Sequence, residues 1–89
     1  MEEKFSLTNQ MRRSSSSIPT NIAEGNVRRG PKDKAKFFLI ALGSLEELHY
    51  QCRLCKDLGY ITEDVYNTLD KQIHRTSFLL TKLRSAFSP

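Results

Sequence analysis

The sequence predicts an all-α chain, one helical-bundle domain over residues 1–89, and three observations carry that expectation. Leu69, Ile73, Thr76, Leu80, Leu83 and Phe87 recur in alternating steps of four and three. Phe38, Leu45 and Cys52, with Ala41, Leu48 and Cys55, fill the a and d places of a heptad. No stretch alternates apolar and polar residues as a half-buried strand does.

The first helix is expected over residues 6–26. Ser6 supplies a capping hydroxyl, Leu7, Met11, Ile18 and Ile22 share a face, and Gly25 offers a stop. The stretch SSSSIP, Ser14 to Pro19, interrupts this element with poor helix formers. Proline removes one backbone donor and its ring crowds the carbonyl of Ser15, which predicts a kink near Ser15 to Pro19. Serine hydroxyls are expected to bond the carbonyls that the proline leaves free, and their small size to admit a neighbouring helix.

The second helix, 31–58, opens on Gly30 and Pro31, a turn followed by proline at the first helical position, and closes at Gly59. Phe37, Leu39 and Leu42 widen its apolar seam, as expected of a helix with more than one neighbour. Gly43 and Ser44 are read as the place of a close helix crossing. The third helix, 62–87, starts at Thr62, a capping hydroxyl followed by Glu63 and Asp64 at the positive end of the helix dipole. So short a link from Gly59 to Thr62 implies an antiparallel hairpin, and the whole an up-down bundle.

At 89 residues the core must be thin, since a chain of this size buries only about 60 to 65% of its unfolded surface. No run reaches the roughly 18 apolar residues of a spanning helix, and the N-terminus lacks the apolar stretch of a signal peptide, so the expected location is cytoplasmic and the chain is expected to make no use of a membrane. The formal charge of +4 is concentrated in GNVRRGPKDKAK, residues 25–36, where Arg28, Arg29, Lys32, Lys34 and Lys36 face the single Asp33. The rest of the chain is neutral, and a local basic cluster at a turn suits an anionic partner such as RNA or DNA.

Catalytic and cofactor motifs fail on inspection. GNVRRGPK has the glycine spacing of a phosphate-binding loop, but Pro31 displaces Lys32 by one place, Asp33 stands where a Ser or Thr must hold magnesium, and a helix precedes it. Cys52 and Cys55 in CRLC have the spacing of zinc and redox motifs, with His49 one turn earlier; the only other histidine, His74, lies on the third helix. Falling on a and d, both cysteines read as small buried hydrophobes, and no metal is expected. The serines lack a base to activate them, and Glu24, Glu46 and Glu47 read as surface carboxylates, so no enzyme and no cofactor is expected. Asn21 and Glu24 border the first helix's apolar face, and Ser44 and Glu47 border that of the second; paired antiparallel, they are expected to form a buried polar network with Arg12 or Arg13.

LTNQMRRSSSSIPTNIAEG from Leu7 to Gly25, FFLIALGSLEEL from Phe37 to Leu48 and LGYI from Leu58 to Ile61 together resemble the bacterial four-helix-bundle proteins encoded in intervening sequences of 23S ribosomal RNA genes. The resemblance spans nearly the whole chain, with Arg12, Arg13, Ser17, Ile18, Pro19, Asn21, Ile22, Ala23, Glu24 and Gly25 as its core and Gly43, Ser44 and Glu47 as a second signature. It implies an antiparallel four-helix bundle that assembles into a ring, commonly a homopentamer, without enzymatic activity. The accessory variability proteins of diversity-generating retroelements look like relatives, and that likeness implies a basic ring surface for nucleic acid and a protein partner. Where relatives often carry alanine, this chain carries serines, so the resemblance implies that small side chains are what the segment requires. Two departures stand out: His49 occupies a position often acidic in the family, and the sequence starts with Met1 at EEKF, where the family usually has a further N-terminal helix ahead. The expectation is either a shortened start or a fold for which three helices suffice. Three helices without it are expected to leave an apolar groove that favours assembly.

The functional expectation is a self-assembling scaffold that binds nucleic acid, structured RNA above all, through Arg28, Arg29, Lys32, Lys34 and Lys36, joined by Arg12 and Arg13. The alternative is a protein-interaction adaptor that receives a partner helix in a groove involving Leu80 or Phe87.

Overall fold

In the computed structural model, which describes residues 2–87, the chain forms three helices: α1 (Glu2–Val27), α2 (Pro31–Asp57) and α3 (Glu63–Ser85). Met1, Ser88 and Pro89, part of the expected domain, lie outside the described residues. No strand occurs among the described residues.

The helix ends follow local chemistry. α1 begins four residues before the expected cap, with Glu2 and Glu3 in its first turn where the helix dipole favours negative charge, so Ser6 is an exposed interior residue. It also runs two residues past Gly25. α2 starts with Pro31 at its first position and ends in a Schellman turn: Gly59, at φ 78°, donates its N–H to the Lys56 carbonyl, and Tyr60 donates to that of Cys55. Thr62 caps α3 as the sequence implies, its hydroxyl accepting from the Val65 N–H at 3.2 Å. α3 closes at Ser85, two residues short of expectation, with Ala86 and Phe87 donating to the Lys82 and Arg84 carbonyls.

α1 continues through Pro19 as one element. The serines do not compensate for the missing donor as expected. Ser15 and Ser16 instead bond the carbonyls of Arg12 and Arg13, each three residues back. The residues after the proline bond back in the same way: Thr20 donates to the Ser16 carbonyl and Asn21 to that of Ser17, both at 2.8 Å, a pattern that competes with the backbone ladder and favours bending.

α2 is the common partner of the other two helices, packing against both. Met11 meets Cys55, Ser17 meets Ser44, and Gly25 lies under Phe38, so partner numbers fall along α2 as they rise along α1. Lys56 over Tyr66, His49 beside Asp70 and Phe38 beside Phe87 make the same reversed ladder with α3. Among the described residues no Cα of α1 comes within 8 Å of one in α3. α1 and α3 therefore flank α2 without close backbone approach to one another, in a molecule 44 × 24 × 15 Å. Three helices side by side at normal spacing span about 23 Å between outer Cα atoms, close to the middle dimension, while the 15 Å depth exceeds the roughly 5 Å of a flat row, so the row is bent into an open trough. The radius of gyration, 14.5 Å, exceeds the roughly 12 Å of a compact chain of this length for the same reason.

Such a trough has a thin core. Ala41, Leu45, Cys52, Ile73 and Leu80 form the buried cluster, flanked by Met11, Ile18, Leu48 and Leu69. Phe38 is the one large side chain fully removed from solvent among the described residues, and Gly25 explains it: a Cβ at Gly25 would stand 2.6 Å from the Phe38 ring. The close approach lies there and not at Gly43, which is exposed with open space where its Cβ would be. Only the second half of the GlySer pair serves the crossing, since Ser44 bonds Ser17 at 2.7 Å.

Candidate nucleic-acid interface

The link between α1 and α2, residues 28–30, turns the chain through a corner that carries most of the expected basic residues. Gly30, in extended conformation at φ −81° and ψ 139°, is the N-cap of α2 but offers no side-chain cap. The first-turn amides of α2 thus point outward at the positive end of a 27-residue helix, an arrangement that favours anions.

Four of the basic side chains stand exposed around this corner: Arg28, Arg29, Lys32 and Lys36. Phe37 organises two of them. The Arg28 guanidinium lies 4.7 Å from its ring centroid and the Lys36 ammonium 6.0 Å, which brings a cation from the end of α1 and one from the start of α2 onto one aromatic surface. Arg28 also pairs with Glu24, one turn back, at 2.8 Å; with both side chains over two-fifths exposed, solvent leaves this pair little stabilising energy and Arg28 free to exchange it for a phosphate. Arg29 and Lys32 make no ion pair among the described residues.

Lys34 has a different job. Its ammonium donates to the carbonyls of Gly25 (3.2 Å) and Asn26 (3.0 Å), satisfying the end of α1, and lies 5.6 Å from the Phe87 ring centroid. It joins the end of α1, the start of α2 and the end of α3. Arg12 and Arg13 are exposed on α1, but they precede Arg28, just past the end of that helix, by 16 and 15 residues, about 23 Å along its axis. The fold does not bring them to the corner; Arg12 instead borders a surface pocket with Lys4, Phe5, Thr8 and Asn9.

The expected polar network is smaller than its four residues and is joined through a fifth. Asn21 donates to the Ser17 hydroxyl at 3.0 Å, and Ser17 shares a hydrogen bond with Ser44 across the helices. Glu24 turns outward to Arg28, Glu47 is exposed, and neither arginine enters. Three of the family-like motif residues, Ser17, Gly25 and Ser44, lie where α1 meets α2 closely, with Asn21 bonded to the Ser17 hydroxyl. The cysteines are buried on the far half of α2: burial pushes both thiols up from their ordinary value of 9.0, Cys55 adding to the shift at Cys52, and Cys55 Sγ meets Met11 Sδ at 3.5 Å.

On the opposite side of α2 the structure joins residues that periodicity does not pair. His49 contacts Asp70 and His74, and Tyr66 lies beside the His49 ring. The (i, i+4) spacing of Asp70 and His74 was the legible half of that group; its partner on α2 depends on helix register.

No helix among the described residues is long and apolar enough to cross a membrane. No curated protein matches the sequence. The model of the 23S rRNA-intervening sequence protein family matches residues 1–82, from the first turn of α1 through the last turns of α3, and takes in both the SSSSIPTNIAEG segment that meets α2 and the basic corner after it. That span is nearly the whole fold, and the chain belongs to the 23S rRNA-intervening sequence protein family.

Proposed function

We propose that this chain is a non-enzymatic helical scaffold that binds structured RNA through the α1–α2 corner. The observation that carries this reading is the set of four exposed cations, Arg28, Arg29, Lys32 and Lys36, at the uncapped start of α2, two of which, Arg28 and Lys36, lie against the Phe37 ring. Such a surface recognises phosphates by charge and a stacked base by Phe37, with little sequence reading. Lys34 belongs to the scaffold that holds the corner, and Arg12 and Arg13 extend the positive surface along α1 without sharing the site. Charge reversal at Arg28, Arg29 and Lys32 tests this by fluorescence anisotropy on a folded RNA hairpin across a salt series. Affinity is expected to fall at least tenfold and the slope of log K against log salt to flatten by about 2. Unchanged affinity and slope would remove the corner from the function.

Self-assembly is part of the same proposal. The open row of helices leaves a groove of about 360 Å³ on one face of α2, bordered by Met11 and Ile18 of α1, Leu48 and Cys52 of α2, and Leu69 of α3. A further antiparallel helix there would complete a four-helix bundle; a second copy of the chain is the occupant we propose, as the first step towards a ring. Exposed Phe5, Leu39, Tyr50 and Phe78 offer apolar surface for the same association. Leu80 and Phe87, expected to line a docking groove, do not: Leu80 is in the core, and Phe87 packs on Phe38. An adaptor for a foreign helix is the competing use of this groove, and salt-resistant capture of such a helix by monomeric protein would favour it.

A further inference from the structure

We propose that His49, Asp70 and His74 form a binding site for a divalent transition ion of the zinc class at the seam of α2 and α3, with Glu46 beside it. One donor atom from each of the three residues lies within 4.8 Å of the others. Donors around a tetrahedral ion with bonds of about 2.1 Å stand about 3.3 Å apart, so the group is one small side-chain adjustment from closing. His74, with a side chain two-thirds exposed, has room to make that adjustment.

Each ligand is already aimed. The His49 Nε2–H donates to Asp70 Oδ1 at 2.6 Å, and an ion takes the place of that proton once His49 carries its hydrogen on Nδ1. Tyr66 lies beside the His49 ring, 10° from parallel with centroids 6.4 Å apart, and its hydroxyl is 3.5 Å from the same Nε2. His74 donates from Nδ1 to the backbone carbonyl of Asp70 at 2.8 Å, one turn back. The same Nδ1 lies 3.4 Å from Asp70 Oδ1, so it is the His74 nitrogen that reaches the group, and it binds an ion by exchanging the carbonyl bond for the metal with its hydrogen moved to Nε2. The two imidazoles meet edge to face, centroids 5.2 Å apart, with Asp70 shared between them.

The surroundings supply access and a further position. A cavity of about 330 Å³ opens beside the group, lined by Glu46, His49, His74 and Ser77 over the apolar floor of Leu45 and Ile73. Glu46 is three residues before His49, on the same side of α2, and stands as the fourth ligand or as the acceptor for a bound water. Two imidazoles with carboxylate oxygen select zinc and its neighbours over magnesium or calcium, which prefer all-oxygen sets. The nearby cysteines are not part of this site, since Cys55 turns to Met11 on α1 and both thiols are sealed from solvent. A bound ion would bridge two helices that otherwise meet through a thin core.

Zinc titration by isothermal calorimetry at neutral pH is the test, with cobalt absorption as a second readout. One ion per chain is expected, with affinity lowered about 100-fold or more in His49→Ala, in His74→Ala and in Asp70→Asn, and unchanged in Cys52→Ser/Cys55→Ser. Bound cobalt should show visible d–d bands without a thiolate charge-transfer band. His74 is exposed, so its variant carries the test even where His49→Ala impairs folding. Absence of zinc binding by the folded chain, retention of binding in the His49→Ala/His74→Ala double variant, or a thiolate band would overturn the proposal.

Discussion

The two long sides of α2 are made differently. Towards α1 the helices meet through small groups: Ser17 and Ser44 hydroxyls 2.7 Å apart, and Gly25 beneath the Phe38 ring. Towards α3 they meet through side chains that reach: His49 to Asp70, Lys56 over Tyr66, Phe38 to Phe87 at 6.0 Å. The first seam is defined by atoms that are missing, and the second by polar and aromatic groups that bridge a gap. An added methyl is therefore felt on the α1 side, whereas a changed charge or a bound ion is felt on the α3 side.

Two glycine substitutions, with a polar one between them, sharpen that contrast. Gly25→Ala puts a carbon 2.6 Å from a ring that has no exposed surface to move into, and overpacking of this kind typically costs about 1 to 3 kcal/mol. Its better helix propensity offsets only part of that loss, so urea denaturation should show clear destabilisation. If Gly25→Ala were neutral, the α1 seam would not be set by close approach. Gln51, seven residues beyond Ser44 on the same side of α2, is buried with an Oε1 that finds no partner among the described residues. Gln51→Met removes this unsatisfied acceptor at similar volume and should raise stability by about 1 kcal/mol, read as a higher denaturation midpoint. The smallest effect belongs to Gly43→Ala. It makes the same chemical change as Gly25→Ala in a helix with nothing nearby to strike, and should stabilise by about 0.5 to 1 kcal/mol. A loss at Gly43 would mean that a neighbour covers it, and the assembled protein would then be the place to look for that neighbour.

What the sequence made legible is what repeats along one helix. Of the a and d residues of α2, Phe38, Ala41, Leu45, Cys52 and Cys55 are buried and Leu48 is half-buried. Of the α3 seam Ile73 and Leu80 are buried and Leu69, Thr76, Leu83 and Phe87 half-buried, because periodicity decides which face is apolar but not how much of it a neighbour covers. The caps at Thr62 and Gly59 were equally local. The glycines were misread for a clear reason. Gly25 resembled a helix stop and Gly43 a crossing, but which glycine another helix covers depends on the register between helices, which neither neighbourhood encodes. The same gap hid Lys34: five cations in one run look alike until the Gly25 and Asn26 carbonyls are found within reach of one of them. His49 was weighed against the cysteines on its own helix, while the structure pairs it with Asp70, 21 residues away.

The lack of proximity between α1 and α3 bears on how the chain acquires its shape. Every helix–helix pairing closes through a link of three or five residues, so no distant ends must find each other and the entropy of ring closure is small throughout. Topology of this kind belongs with the rapid folders. Either hairpin can form on α2 before the other arrives, and in the same way either outer helix can come away while the remaining pair stays closed, an opening well short of global unfolding.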